Sequence, residues 1–201
     1  MTNKTVHLID DDEDVRRALS FLLGTAGLAV KVYDSATGFM AQELGSIGGC
    51  IVSDVRMPGM DGLELLRNLT TRGVRVPVVI MTGHADVAMA VAAMKAGAVD
   101  FIEKPFSDET LLSAVQAAFA RRPGGAEGDS AHIKARLDSL SAREKQVLDG
   151  LLVGHPNKTI AYDLGLSPRT VEVHRANLMT KMGASSLSEL VRMAMRVQPN
   201  P

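Results

Sequence analysis

From residue 5 to residue 120, short β-branched apolar runs alternate with longer stretches in which apolar residues recur at helical spacing. The run TVHLI predicts a strand, and Val15, Ala18, Leu19 and Leu22 behind it return at intervals of three and four, the signature of one helix face. The cycle repeats five times, with later strands predicted at 29–33, 49–53, 77–82 and 98–102 and helices beginning near residues 13, 35, 62, 86 and 107. CIVS and VPVVIM are apolar on both faces, which suits interior parallel strands covered by helices on each side. A doubly wound (βα)5 sandwich of the α/β class follows.

The pattern then breaks. RRPGGAEGDS, residues 121–130, has a proline, three glycines and no apolar face, so it reads as a linker rather than an element. Beyond it the chain is nearly all helical in pattern. Ser141 with Glu144 three residues later predicts a capping box opening AREKQVLDGLL, and three more helices are expected near 157–164, 168–182 and 186–196. The expected division is a sandwich domain over 1–120, a linker over 121–136 and a small all-α four-helix domain over 137–201.

Composition changes this picture in four places. At 201 residues and 46% hydrophobic, the chain is long enough for two cores. Its single cysteine, Cys50, lies in an apolar run and reads as a small buried hydrophobe. No leader is evident and no apolar stretch approaches the ~20 residues of a membrane span, so a cytoplasmic protein without a membrane partner is expected. The net charge of −1 conceals an asymmetry: residues 1–122 carry 12 Lys/Arg against 15 Asp/Glu, and residues 131–201 carry 10 against 6. A basic tail behind an acidic head points to nucleic acid at the C-terminal end.

Polar residues terminate the predicted strands. Asp10 and Asp11 follow VHLI, Asp54 follows CIVS, Thr82 ends PVVIM and Lys104 follows VDFIE. In a parallel α/β sheet the carboxyl ends of the strands converge where strand order reverses, so these residues are expected to form one small polar site. Unpaired carboxylates at close range repel, and a hard divalent cation, Mg²⁺, resolves that repulsion. Such a cation would prepare Asp54 for attack on a phosphoryl donor, with Lys104 and the Thr82 hydroxyl reaching other phosphoryl oxygens. Asp12, Glu13 and Asp14 read as an acidic helix start.

DDDEDVRR, SDVRMPGMDG, MTGHAD and FIEKPF, in this order and spacing, resemble the receiver domain of two-component response regulators, and the resemblance covers residues 5–120. It implies that Asp54 accepts the phosphoryl group, that Asp11, Asp54 and the backbone carbonyl of Arg56 bind Mg²⁺, and that Asp10 reaches the ion mainly through water. It also implies that Lys104, before a cis Pro105, salt-bridges the phosphate. A phosphoryl group adds roughly −2 charge, and pulling Thr82 inward would open space for Phe101. In receivers an aromatic at that position couples the switch to the face of the fourth helix, fifth strand and fifth helix, here residues 86–120.

In the C-terminal part, NKTIAYDLGLSPRTVEVHRANLMTKMGASS places a short helix, a glycine-containing turn and a longer helix in helix-turn-helix order. It resembles the output domain of the LuxR/FixJ class. On the wheel of the longer helix Val171, Leu178 and Met182 face the core, leaving Arg169, Glu172, Val173, Ala176 and Thr180 for the major groove. Glu172 suits a cytosine amino group, Arg169 guanine or phosphate, and Val173 and Ala176 thymine methyls. Thr170, His174, Arg175, Asn177 and Lys181 on the flanks, and Lys158 in the preceding helix, suit phosphates.

These resemblances imply a phosphorylation-activated transcription regulator of the FixJ type. Its partners would be a sensor histidine kinase, promoter DNA, RNA polymerase and a second copy through residues 86–120, and its genes those of nitrogen fixation or microaerobic growth, the alternative within the family being a FixJ-like regulator of an unrelated stimulus. Its chemistry would extend no further than slow self-phosphorylation and self-dephosphorylation. The competing class is an aspartyl-phosphate phosphatase of the haloacid-dehalogenase kind, which needs a second acid two residues after the nucleophile; that position is Arg56.

Overall fold

The computed structural model describes residues 4–83, 86–120 and 127–197; His84, Ala85 and the 121–126 part of the expected linker lie outside the described residues. Compactness divides the chain into residues 1–85 with 96–121, and residues 86–95 with 122–201.

In the first unit the predicted alternation is realised as β1 (Thr5–Ile9), α1 (Glu13–Thr25), β2 (Ala29–Tyr33), α2 (Ala36–Met40), β3 (Cys50–Asp54), α3 (Gly62–Thr71), β4 (Val78–Thr82) and, after α4 (Val87–Lys95), β5 (Asp100–Glu103) and α5 (Asp108–Ala120). All five strands are parallel, in the order β2-β1-β3-β4-β5. The register sets Leu8 beside Val52 and Val52 beside Val79, so one sheet face is a continuous aliphatic layer. Leu19 and Leu23 of α1 and Leu111, Ala114, Val115 and Ala118 of α5 close over it. Each buried leucine contributes about 1.5–3 kcal/mol of transfer free energy. On the other face His7 is buried edge-on to Phe39, with Nδ1 3.1 Å from the Tyr33 hydroxyl and Nε2 3.2 Å from the Gly48 carbonyl. Burial pulls the His7 pKa below its ordinary value.

The helices start where capping chemistry satisfies their free N–H groups. Asp12 accepts from the N–H groups of Asp14 and Val15 at α1, and Asp61 from that of Glu64 at α3. Gly62 opens α3 under a tighter constraint: a Cβ there would stand 2.2 Å from the Asp54 carbonyl oxygen. Only a residue without a side chain lets the helix begin this close to the end of β3.

The second unit holds α4, counted with it by compactness, and α6 (Glu127–Asp138), α7 (Ala142–Val153), α8 (Asn157–Leu164), α9 (Pro168–Met182) and α10 (Leu187–Val197). α7 to α10 match the four expected helices, and the Ser141–Glu144 capping box is complete in both directions. α6 is a correction. Residues 127–136 belong to the expected linker, and they lie in a helix. Ile133, Leu137 and Leu140 recur at intervals of four and three and are all buried, with α6 lying along α9 and α10. Tertiary burial of this narrow stripe outweighs the weak propensity of its glycine, serine and aspartates.

One ion pair ties α7 to α9. Glu144 is buried, and its Oε2 accepts from Lys181 Nζ at 2.8 Å and from the Ser141 N–H at 2.7 Å. The Lys181 ammonium first, then the Ser141 N–H, holds the Glu144 carboxyl below its ordinary pKa. Its contribution to stability is therefore complete above the ordinary carboxylate range and is lost as pH falls through the lowered value.

Two outcomes follow for unfolding of the full chain. Leu137→Ala will destabilise the helical unit by about 2 kcal/mol or more, read as a lower urea midpoint; an unchanged midpoint would mean that α6 is not packed. Glu144→Gln will cost about 1 kcal/mol at neutral pH, and its difference from wild type will close as the pH is lowered through the carboxylate range.

Candidate functional site

The strand order reverses between β1 and β3, and both carry an aspartate at or just past their carboxyl ends. Thr82 closes β4 and Lys104 follows β5 directly. A parallel sheet brings these ends to one edge, because every strand runs the same way and the register keeps them level. The Lys104 N–H donates to the Thr82 carbonyl at 2.7 Å, continuing the β4–β5 ladder into the site, and the Lys104–Pro105 peptide is cis.

The Lys104 ammonium bridges two carboxylates. Its Nζ lies 2.8 Å from Asp10 Oδ2 and 2.6 Å from Asp54 Oδ1. The other oxygens are also engaged: Asp10 Oδ1 accepts from the Asp12 N–H at 3.0 Å and Asp54 Oδ2 from the Arg56 N–H at 2.6 Å. Arg16 Nη1 fixes the Asp10 carbonyl at 2.8 Å. Asp10 is 1% exposed, and burial drives its pKa above the ordinary carboxylate value against the pull of Lys104. Burial works against the Lys104 charge, yet the hydrogen bonds to Asp10 and Asp54 hold its pKa above the ordinary lysine value. Thr82 is fully buried beside them, and Phe101, opposite Ile80 across the β4–β5 ladder, is buried too.

Asp11 is exposed, at the turn into α1. Among the described residues no three acid, histidine or cysteine side chains form a ready cation cage. The donor set nonetheless fits Mg²⁺, which takes one or two carboxylates and keeps several waters. Asp10 and Asp54 are gathered at one strand edge with a single ammonium between them, which leaves net negative charge in a largely buried place.

In the second unit α8 and α9 are joined by the short turn Gly165–Ser167, the arrangement of a helix-turn-helix. Val171, Leu178 and Met182 are buried, and Arg169, Glu172, Val173, Ala176 and Thr180 are exposed, as the wheel predicts. Val173 is 55% exposed, a large hydrophobe held in solvent on the face opposite the core. Thr170, His174 and Arg175 are half-buried on the flanks, and Asn177 and Lys158 are exposed. Two flank residues have intramolecular commitments invisible to the wheel. Thr170 Oγ1 lies 2.8 Å from the capping Ser167 Oγ, and Lys181 donates to Glu144. The Thr180 hydroxyl donates to the Ala176 carbonyl at 3.0 Å. Sequence reasoning also passed over Tyr162 of α8, 87% exposed, whose one signal was its place one turn after Lys158.

Comparison with known proteins agrees with both halves. Residues 6–116 match the family described as Response regulator receiver domain, and residues 138–194 match Bacterial regulatory proteins, luxR family. The chain is similar to the transcriptional regulatory protein FixJ of Azorhizobium caulinodans, 55% identical over 192 residues, covering 94% of this chain and 91% of that one. It is similar to FixJ of Rhizobium meliloti at 54% identity, covering 97% of each. Among solved structures, full-length FixJ from B. japonicum covers 100% of both chains at 49% identity with a TM-score of 0.58. With a receiver fold in front and a LuxR-type DNA-binding domain behind, the chain belongs to the two-component response regulators of the FixJ type.

Proposed function

We propose that this regulator is switched by phosphorylation of Asp54 by a sensor histidine kinase, and that the switched form binds promoter DNA as a dimer. The observation that carries the reading is the single ammonium of Lys104 held between Asp10 and Asp54. An Asp54 oxygen forms the new P–O bond while the P–N bond to the donor imidazole breaks and its electron pair returns to that ring. Lys104, already 2.6 Å from Asp54, then pairs with a phosphoryl oxygen. Asp10, Asp11, Asp54 and the Arg56 carbonyl would hold Mg²⁺, which when bound neutralises charge on the transferring oxygens. The Thr82 hydroxyl turns toward the phosphoryl group and Phe101 follows it inward. This displaces the 86–120 face through which two copies pair. With Arg56 where a phosphatase would need an acid, the phosphoaspartate persists as a signal rather than turning over.

On DNA, α9 enters the major groove with Arg169, Glu172, Val173, Ala176 and Thr180 toward the bases, while Lys158, Thr170, His174, Arg175 and Asn177 hold phosphates. Lys181 adds its charge from the Glu144 pair. The resemblance to FixJ supports target genes of nitrogen fixation or microaerobic growth, and the proposed setting is the cytoplasm, in contact with RNA polymerase. Among the described residues no helix is long and apolar enough to cross a membrane.

With acetyl phosphate and Mg²⁺, the wild type will gain one phosphoryl group by mass and double in size by light scattering; Asp54→Asn will do neither. Phosphorylation of the Asn variant would remove Asp54 as the acceptor, and phosphorylation without a change in size would sink the dimer. In DNA binding, Glu172→Ala will relax preference at one base pair by about 1–3 kcal/mol. Lys158→Ala will weaken all sequences alike and reduce the salt slope by about 1.

A further inference from the structure

Base reading by a helix depends on its rotation about its own axis, because successive residues differ by about 100° and a modest roll carries a side chain off its base edge. In α9 the core contacts that oppose such a roll come from Val171, Leu178 and Met182, the last an unbranched and flexible hydrophobe. Directional contacts are concentrated instead in the last turn. On one side Lys181 donates to Glu144 of α7. On another, Arg136 of α6 reaches across and its Nη1 donates to the Met182 carbonyl at 2.7 Å.

The second contact is built, not incidental. Met182 is the last residue of α9, where carbonyls lack helical partners and the negative end of the helix dipole favours a cation. Gly183 caps the helix at φ 64°, and a Cβ there would lie 2.9 Å from Arg136 Nη1 and 3.4 Å from its Cζ. A side chain at position 183 would therefore shift the guanidinium from the place in which it makes this bond. Ile133 and Leu137, on either side of Arg136 in α6, are buried, which fixes the backbone from which the arginine projects. Glu189 at the start of α10 senses the same charge. Against its partial burial, hydrogen bonds from the Ser185 N–H and hydroxyl, and then the charges of Arg192 and Arg136, keep its carboxyl below the ordinary value.

We infer that Arg136 is a positioning residue for DNA recognition: from the helix that follows the linker, it clamps the C-terminal end of α9 and sets the rotation at which Glu172 and Val173 meet the bases. It touches no base itself. The inference rests on the reading of α9 as the base-contacting helix.

The test uses the full chain with acetyl phosphate and Mg²⁺. Its probes are a duplex enriched by the wild type from a random pool and an unselected duplex of equal length, at fixed salt. Arg136→Ala should lower the ratio of selected to unselected affinity about tenfold, leave unselected binding within twofold and keep the unfolding midpoint of the wild type. Arg136→Lys, which can still donate to the Met182 carbonyl, should recover much of the ratio. An unchanged ratio in Arg136→Ala overturns the inference. Equal losses on both duplexes also overturn it: with a shallower salt slope they mark a phosphate contact, and with a lowered midpoint a merely structural residue. If the wild type enriches no sequence, the base-reading role of α9 fails and this inference fails with it.

Discussion

Asp10 and Asp54 belong to different strands, and in a largely buried place their charges would repel without a cation between them. Lys104 supplies that cation from a third strand, so the sheet's ends are closed as much by charge as by backbone pairing. The rest of the receiver serves this arrangement. The parallel order β2-β1-β3-β4-β5 brings β1 and β3 together at the reversal point, and the aliphatic layer beneath keeps their ends level. On the proposed reading, a phosphoryl group at this edge would enter a place that already holds two carboxylates around one ammonium. Adding negative charge there forces a rearrangement rather than a small adjustment, which is what a switch requires.

The helical unit solves a different problem with the same economy of charge. The exposed face of α9 proposed to read the bases is nearly neutral, combining Arg169 and Glu172 with Val173, Ala176 and Thr180. Such a face gains little from general attraction to phosphate and depends on the fit of each side chain to a base edge. Rigidity therefore matters more than charge. The anchoring contacts lie at the far end of the helix: Lys181 on Glu144, and Arg136 on the Met182 carbonyl.

What the sequence disclosed follows from periodicity and from strand ends. Four of the five apolar runs, terminating in Asp10, Asp54, Thr82 and Lys104, can be read directly, because a parallel sheet must gather such ends. The wheel of α9 is equally legible, since Val171, Leu178 and Met182 leave one choice of inward face. α6 escaped because its apolar stripe is only Ile133 and Leu137, set among glycine, serine and aspartate, and it becomes a helix through burial along α9 and α10. The commitment of Lys181 escaped for a related reason. On the wheel a flanking lysine looks free, and its partner Glu144 lies 37 residues away on a helix whose packing no local pattern encodes. The Ser141–Glu144 box was visible, but not that one carboxylate serves a cap and an ion pair together.

Gly62 carries no functional group, takes no part in charge balance and binds nothing. A single methyl group there would nevertheless collide with the backbone of Asp54. The cost of change at such a position is set by geometry alone, so tolerance to substitution along this chain is not a map of its chemistry. A mutational survey scored by activity would rank this glycine with the aspartates. Evolutionary drift in the loop after β3 is therefore confined by a residue whose contribution is the space it leaves empty.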